Sequence, residues 1–309
     1  MLDGILFFPI TPFNEDDTVN HAALTAHLEN GIGYAPGAIF IACGTGEFHT
    51  LAVDEFAAIV ATAVTVSAGH TPVFAGVGGP IASARLMAQK AAEAGADGLL
   101  LLPPYLVGSP VEGLLDYVRA IADSSDLPII VYHRGNAQFT VASAVEVSTI
   151  PTVIGFKDGV GDLDLMSRIV RAVQDSTTAA GKEFQFFNGL PTAESSQAAY
   201  RAIGVELYSS ATFAFAPDIS VAFYDSLSSG DTELTNALSR DFFHPLVALR
   251  DQVPGYAVAL VKAGARLGGI AAGRVRPPLR DISAAHEAEL ITILAAGRRV
   301  LADRAVVVS

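Results

Sequence analysis

The chain has 309 residues, of which 51% are hydrophobic and 17% charged, and its formal net charge is −13. This much apolar material supports a large packed core and puts the chain outside the disordered class. The acidic excess repels phosphate backbones and anionic lipid surfaces, so neither nucleic acid nor a membrane is expected as a partner.

The N-terminus lacks the basic region and small-residue cleavage site of a secretion signal. The single cysteine, Cys43, has no internal disulfide partner, so a reducing cytoplasm is the expected compartment. Short runs of β-branched and large apolar residues predict strands over 4–10, 38–42, 72–76, 98–102, 128–132, 153–157, 184–188 and 205–209. Between them, apolar residues at three- and four-residue spacing predict helices over 22–32, 56–66, 82–94, 111–121, 163–173 and 217–227. The uncharged stretch over 56–84 is interrupted by His70, Pro72, Pro80 and several glycines. It therefore predicts a helix and a strand, not a membrane span.

Alternating strands and helices predict a parallel sheet of the α/β class. Several strands, such as Leu99 to Leu102, are apolar throughout, as expected where helices cover one face and a barrel interior the other. Eight such units predict a closed (β/α)8 TIM barrel over residues 1–230. Helical stretches at 233–249, 256–267 and 287–301 then predict a C-terminal helical extension, 231–309, packed on the barrel. The alternative is a doubly wound open sheet, but no strand is followed by the Gly-x-Gly-x-x-Gly turn of a dinucleotide fold.

In a TIM barrel, reactive side chains gather at the C-terminal strand ends. The chain has only four lysines, Lys90, Lys157, Lys182 and Lys262. Lys157 ends a predicted strand and projects into the barrel mouth, while the other three are expected in solvated positions. Desolvation there would lower the amine pKa and leave a nucleophile able to attack a ketone. The competing reading is an ion pair with Asp158 or another carboxylate at the rim. Tyr132 ends the preceding strand, either as a proton shuttle or as a ring that fills the top of the barrel. Cys43-Gly-Thr-Gly-Glu47 turns at the second strand end, where free N–H groups and the Thr45 hydroxyl suit a carboxylate; the glycines would equally serve the turn alone. Cys43 is read as a buried filler. No histidine or cysteine spacing suits a metal, and no metal is expected.

Together, the Gly-Thr-Gly-Glu turn, the strand-end Tyr132 and Gly155-Phe-Lys-Asp-Gly159 resemble the dihydrodipicolinate synthase/N-acetylneuraminate lyase superfamily over nearly the whole chain. The resemblance implies a class I Schiff-base enzyme in which Lys157 carries the imine and Tyr132 shuttles protons. Gly44 and Thr45, with their N–H groups, would hold the carboxylate of a keto acid. Three positions depart from dihydrodipicolinate synthase: Gly44 stands for a relay threonine, Leu106 for a tyrosine lent across the dimer, and His133 for an asparagine. The segments Gly44 to Phe48, Leu100 to Tyr105, Gly155 to Asp162, Gly189 to Glu194, Tyr208 to Ser210 and Gly255-Tyr256 with Val261 to Arg266 are more similar to the 5-dehydro-4-deoxyglucarate dehydratase branch.

That branch implies dehydration and decarboxylation of a six-carbon keto sugar diacid to 2,5-dioxopentanoate, with no cofactor, in a homodimer or homotetramer. The far carboxylate and the hydroxyls need polar partners, for which Arg134, Asn136, Asn188, Thr192, Tyr208, Ser209 and Ser210 stand at strand ends. An Arg134–Asp158 pair and a turn-capping role for Ser209 and Ser210 are the alternatives. Two other functions stay open. One is an aldolase or lyase of the same superfamily; the other is a non-catalytic sugar-acid binding protein.

Overall fold

The computed structural model describes the backbone of residues 1–308 and side chains as far as Arg304. Eight parallel strands, β1 (Leu6–Phe7), β2 (Ala38–Ile41), β3 (Val73–Val77), β4 (Gly98–Leu101), β5 (Ile129–His133), β6 (Val153–Asp158), β7 (Gln185–Asn188) and β8 (Leu207–Ser210), form a closed barrel in sequence order. Strand β8 closes it by pairing with β1. Each predicted strand has its counterpart. Strand β1 is two residues long where seven were expected, because Gly4 has φ +80° and Pro9 has no N–H to extend the ladder.

Around the barrel run α1 (His21–Ile32), α2 (Val53–Ser67), α3 (Ile81–Glu93), α4 (Val111–Ala122), α5 (Val141–Thr149), α6 (Leu163–Ala179), α7 (Gln197–Ala202) and α8 (Pro217–Ser229). Several start where the sequence supplies a cap. The side chains of Asn20, Thr140 and Asp162 accept from the N–H groups of Ala23, Ser143 and Leu165, satisfying donors that the first helical turn leaves free. Helices α5 and α7 are too short to declare a helical period clearly and add to the six read from periodicity.

Beyond α8 follow α9 (Thr232–Leu238), a π-helical turn at Ser239–Phe243, α10 (His244–Arg250), α11 (Tyr256–Leu267) and α12 (Ala284–Val308). Helix α11 is buried on nearly every side from Ala259 to Ala265. A methyl group at Gly264 would lie 2.3 Å from the Phe215 ring, so only glycine lets α11 close on the loop after β8. Among the described residues no helix is long and apolar enough to cross a membrane.

Register decides which side chains reach the interior. Tyr132, Lys157, Phe187 and Leu207 stand at one level across β5 to β8. One residue further along stand His133, Asp158, Asn188 and Tyr208. Successive side chains on a strand point to opposite faces, so the first row faces the barrel interior and the second faces the surrounding helices.

Candidate active site

A cavity of about 380 Å³ opens at the C-terminal strand ends, a size that suits a small organic acid. Lys157 lies at its base, 5% exposed, with no hydrogen-bond partner among the described residues. Its Nζ sits 4.2 Å from the centroid of the Phe8 ring and 4.4 Å from that of Tyr132. Removal from water, with a smaller contribution from the Arg134 charge, brings its pKa down to about 7. The expected rival, an ion pair with Asp158, does not form. Asp158 lies on the outward row, where it accepts from the Val160 N–H at 2.9 Å and from the Tyr200 hydroxyl.

Tyr132 is tied at both ends of its hydroxyl. It donates to the Gly189 carbonyl at 2.5 Å and accepts from Arg134 Nη1 at 3.0 Å. Burial raises its pKa, so it is a neutral phenol at neutral pH. The Arg134 backbone is fixed by reciprocal hydrogen bonds with Ala137, each 3.0 Å, around a two-residue Gly135-Asn136 turn in which Gly135 has φ +56°. Gly189 is required by crowding. A Cβ there would come within 2.6 Å of Lys157 Cε and 2.7 Å of Tyr132 Cε2.

The second wall is the turn after β2. Among the described residues no backbone carbonyl takes the N–H groups of Gly44 or Thr45, and a Cβ on Gly44 would meet nothing within 4 Å. These free donors beside an open space suit a carboxylate. The turn is held from below by Glu47, a residue in the left-handed region with φ 58°. Its fully buried carboxylate accepts from Lys262 Nζ at 2.6 Å and from the Arg276 N–H at 2.8 Å. Lys262 was expected in solvent; it is 0% exposed and lies over the Phe13 ring instead. Lys182 is likewise not free in solvent, since it donates to the carbonyls of Ser148 and Ile150. Lys90 does lie at the surface, paired with Glu93.

Of the residues expected at the site, Lys157, Tyr132, Gly44, Thr45, Arg134, Thr192 and Ser209 line the cavity. Asn188, Tyr208 and Ser210 do not, because all three sit on outward positions of their strands. The Asn188 amide is spent on Ala193, Ser196 and Gln197. Ser210 Oγ donates to Glu194 at 2.5 Å, and the Tyr208 hydroxyl is buried away from the mouth. Asn136 is exposed in its turn and does not line the cavity. Cys43 lines it, but burial pushes its thiol up to about 12, so it stays protonated.

His49, Tyr105 and Arg250 line the cavity without having been singled out. The first two follow strand ends and were open to the same positional reasoning. Arg250 was not, since it closes α10 in the extension. Among the described residues, five of the eight non-glycine residues with positive φ, Ala42, Glu47, Tyr105, Leu106 and Thr192, stand in the loops after β2, β4 and β7 at this mouth, where backbone strain is commonly held for function.

A profile described as "Dihydrodipicolinate synthetase family" matches residues 1–297. The chain belongs to the dihydrodipicolinate synthetase family. A relative from Streptomyces griseus, named "Probable 5-dehydro-4-deoxyglucarate dehydratase", is 53% identical over 302 residues, covering 98% of this chain and 94% of its own length. A protein of the same name from Polaromonas naphthalenivorans is 44% identical, covering 94% of each chain. The crystal structure of dihydrodipicolinate synthase from Oceanobacillus iheyensis superposes with a TM-score of 0.87 at 23% identity, over 96% of this chain and 97% of that one; it shares the barrel fold.

In this member of the dihydrodipicolinate synthetase family, the departure at His133 leaves the cavity lining untouched. His133 lies on the outward row, accepts from the Phe139 N–H at 2.9 Å and stacks on Phe156 at 5.5 Å. Burial lowers its pKa and keeps the ring neutral at neutral pH.

Proposed function

We propose that this chain is a decarboxylating 5-dehydro-4-deoxyglucarate dehydratase that works through an imine on Lys157. The observation that carries the reading is a buried amine near pKa 7, with no acid partner, facing a cavity that offers free N–H donors for a carboxylate. Relatives 40% to 53% identical over nearly the full length carry that name.

The Lys157 amine attacks the ketone, and loss of water from the carbinolamine gives an imine. Tyr132, between Arg134 and Gly189, moves protons in these steps, while Gly44, Thr45 and the N–H groups of their turn hold the adjacent carboxylate. Deprotonation of the neighbouring methylene gives an enamine, which expels the β-hydroxyl as water. The conjugated imine that remains accepts the electron pair of the terminal carbon–carboxylate bond, and carbon dioxide leaves. The resulting dienol-enamine takes up one proton to become an aldehyde and a second to restore the imine, and hydrolysis frees 2,5-dioxopentanoate and the amine. Ser209 is a polar group available to the substrate hydroxyls. Phe8, Leu100 and Leu102 in the cavity wall keep water from the intermediate.

The protein works in the cytoplasm as a homodimer or homotetramer, with residues 1–230 as the barrel and 231–309 as its extension. Fully exposed Leu106 and the largely exposed Val107 beside the mouth support assembly with a further copy. Product analysis tests the reaction. Equal amounts of carbon dioxide and 2,5-dioxopentanoate from 5-dehydro-4-deoxyglucarate are expected. Release of pyruvate would make the protein a lyase, and binding without turnover a sensor.

A further inference from the structure

The proposed substrate carries two carboxylates, and the turn at Thr45 accounts for one. Four basic side chains line the cavity: His49, Arg134, Lys157 and Arg250. Lys157 is consumed by the imine. His49 is exposed and follows directly on the Thr45 turn, at the end of the cavity given to the other carboxylate. Arg134 stands at the reacting end, where its Nη1 donates to the Tyr132 hydroxyl. That leaves Arg250, which reaches the cavity from α10 alongside the loop after β7.

Arg250 is held as a binding group would be. Its Nη1 donates to the Pro191 carbonyl at 2.7 Å and to Thr192 Oγ1 at 3.0 Å, and its Nε to Asp251 Oδ1 at 2.7 Å. Its Nη2 makes no hydrogen bond among the described residues. The side chain is 16% exposed, so the guanidinium is largely ordered before any ligand arrives, which lowers the entropy lost on binding. Thr192, with which it shares a hydrogen bond, has φ 50° and lines the same wall. Pro191, Val258 and Leu279 in the cavity lining are apolar, and the arginine fork and the threonine hydroxyl are polar groups set among them.

We propose that Arg250, with the Thr192 hydroxyl beside it, binds the carboxylate of the substrate that lies farthest from the imine. This rests on the dehydratase reading and adds the group that measures the length and charge of the diacid. The pairing with Asp251 matters to the chemistry. A free guanidinium would stabilise the bound carboxylate and oppose its loss as carbon dioxide, because only interactions kept in the transition state accelerate a step. Sharing its charge with Asp251 lets Arg250 recognise the carboxylate while weakening its hold on the leaving group.

The test is the concentration dependence of borohydride inactivation, which reads imine formation before any later step. It compares 5-dehydro-4-deoxyglucarate with a 2-keto-3-deoxyhexonate, whose far end is a hydroxymethyl group. The wild type is expected to favour the diacid. Arg250→Ala should weaken the diacid roughly 30-fold or more, leave the hydroxymethyl compound within a few-fold, and still trap pyruvate normally. Arg250→Lys should recover part of the preference. Retention of the diacid preference in Arg250→Ala would overturn the proposal, as would equal loss of both ligands, which marks Arg250 as a support for the loop only. The dehydratase reading fails on a different result: wild-type protein that forms the imine with the diacid but releases no carbon dioxide.

Discussion

At Lys157 the amine titrates near 7 in the fold and near 10.5 when exposed, so its neutral fraction grows as pH rises through 7. The acid limb of kcat/KM is expected at about pH 7. Because Arg134 adds to the lowering, Arg134→Leu should move that limb to higher pH; an unmoved limb would take Arg134 out of the electrostatics of the amine. Stability carries the opposite face of the same shift. Between pH 7 and 10.5 the unfolded chain holds a proton that the folded chain gives up, so wild-type stability rises with pH across this window. The penalty is complete below 7 and absent above 10.5. Denaturant unfolding should therefore find Lys157→Met more stable than wild type at pH 6, with the gain fading toward pH 10.5.

Crowding also holds the amine in place. In Gly189→Ala the new methyl displaces Lys157 Cε and the Tyr132 ring edge, and kcat/KM should fall on the order of 100-fold. Wild-type kinetics in that variant would mean that the packing around the amine is loose. Lys157 was legible from its scarcity and its strand end. Asn188, Tyr208 and Ser210 were misassigned because facing depends on register, and a shift of one residue turns a side chain from the cavity to the helices. A single sequence does not carry register between strands far apart in the chain.

Between elements, the Glu47–Lys262 pair joins the turn after β2 to α11 across 215 positions of sequence. Burial brings the Lys262 amine down to about 8 even with Glu47 beside it, so its partner is what keeps it charged at neutral pH. Removing one member strands a buried charge. Lys262→Met is expected to cost about 3–5 kcal/mol in unfolding free energy, and the Glu47→Gln/Lys262→Met double variant less than the sum of the two single losses. Additive losses in a double-mutant cycle would show the two groups to be independent. The eight strands and most crossover helices were legible because a fully covered parallel sheet writes continuous apolar runs. Lys262 was misread because charge was weighed above its neighbours: Val261, Ala263, Gly264 and Ala265 are small or apolar, the pattern of a helix buried all round.

Over the whole molecule, closure of the barrel brings Phe8, Thr45, Lys157 and Thr192 from four separate loops and strand ends to one cavity, and the extension adds Arg250 to its wall. Arg276 anchors that extension as well, pairing with Glu55 at the start of α2. The helices after α8 thus complete the site as well as the fold. Alternation of strands and helices made the barrel legible, whereas the return of α10 and α11 over its mouth depends on packing between distant segments and left no local pattern.

Imine formation on Lys157 leaves a mark that can be trapped. Borohydride reduction in the presence of 5-dehydro-4-deoxyglucarate, followed by peptide mass spectrometry, should find one covalent adduct per chain, on Lys157 and absent from Lys157→Ala. An adduct on Lys90, Lys182 or Lys262, or none while turnover proceeds, would exclude Lys157 as the imine-forming residue.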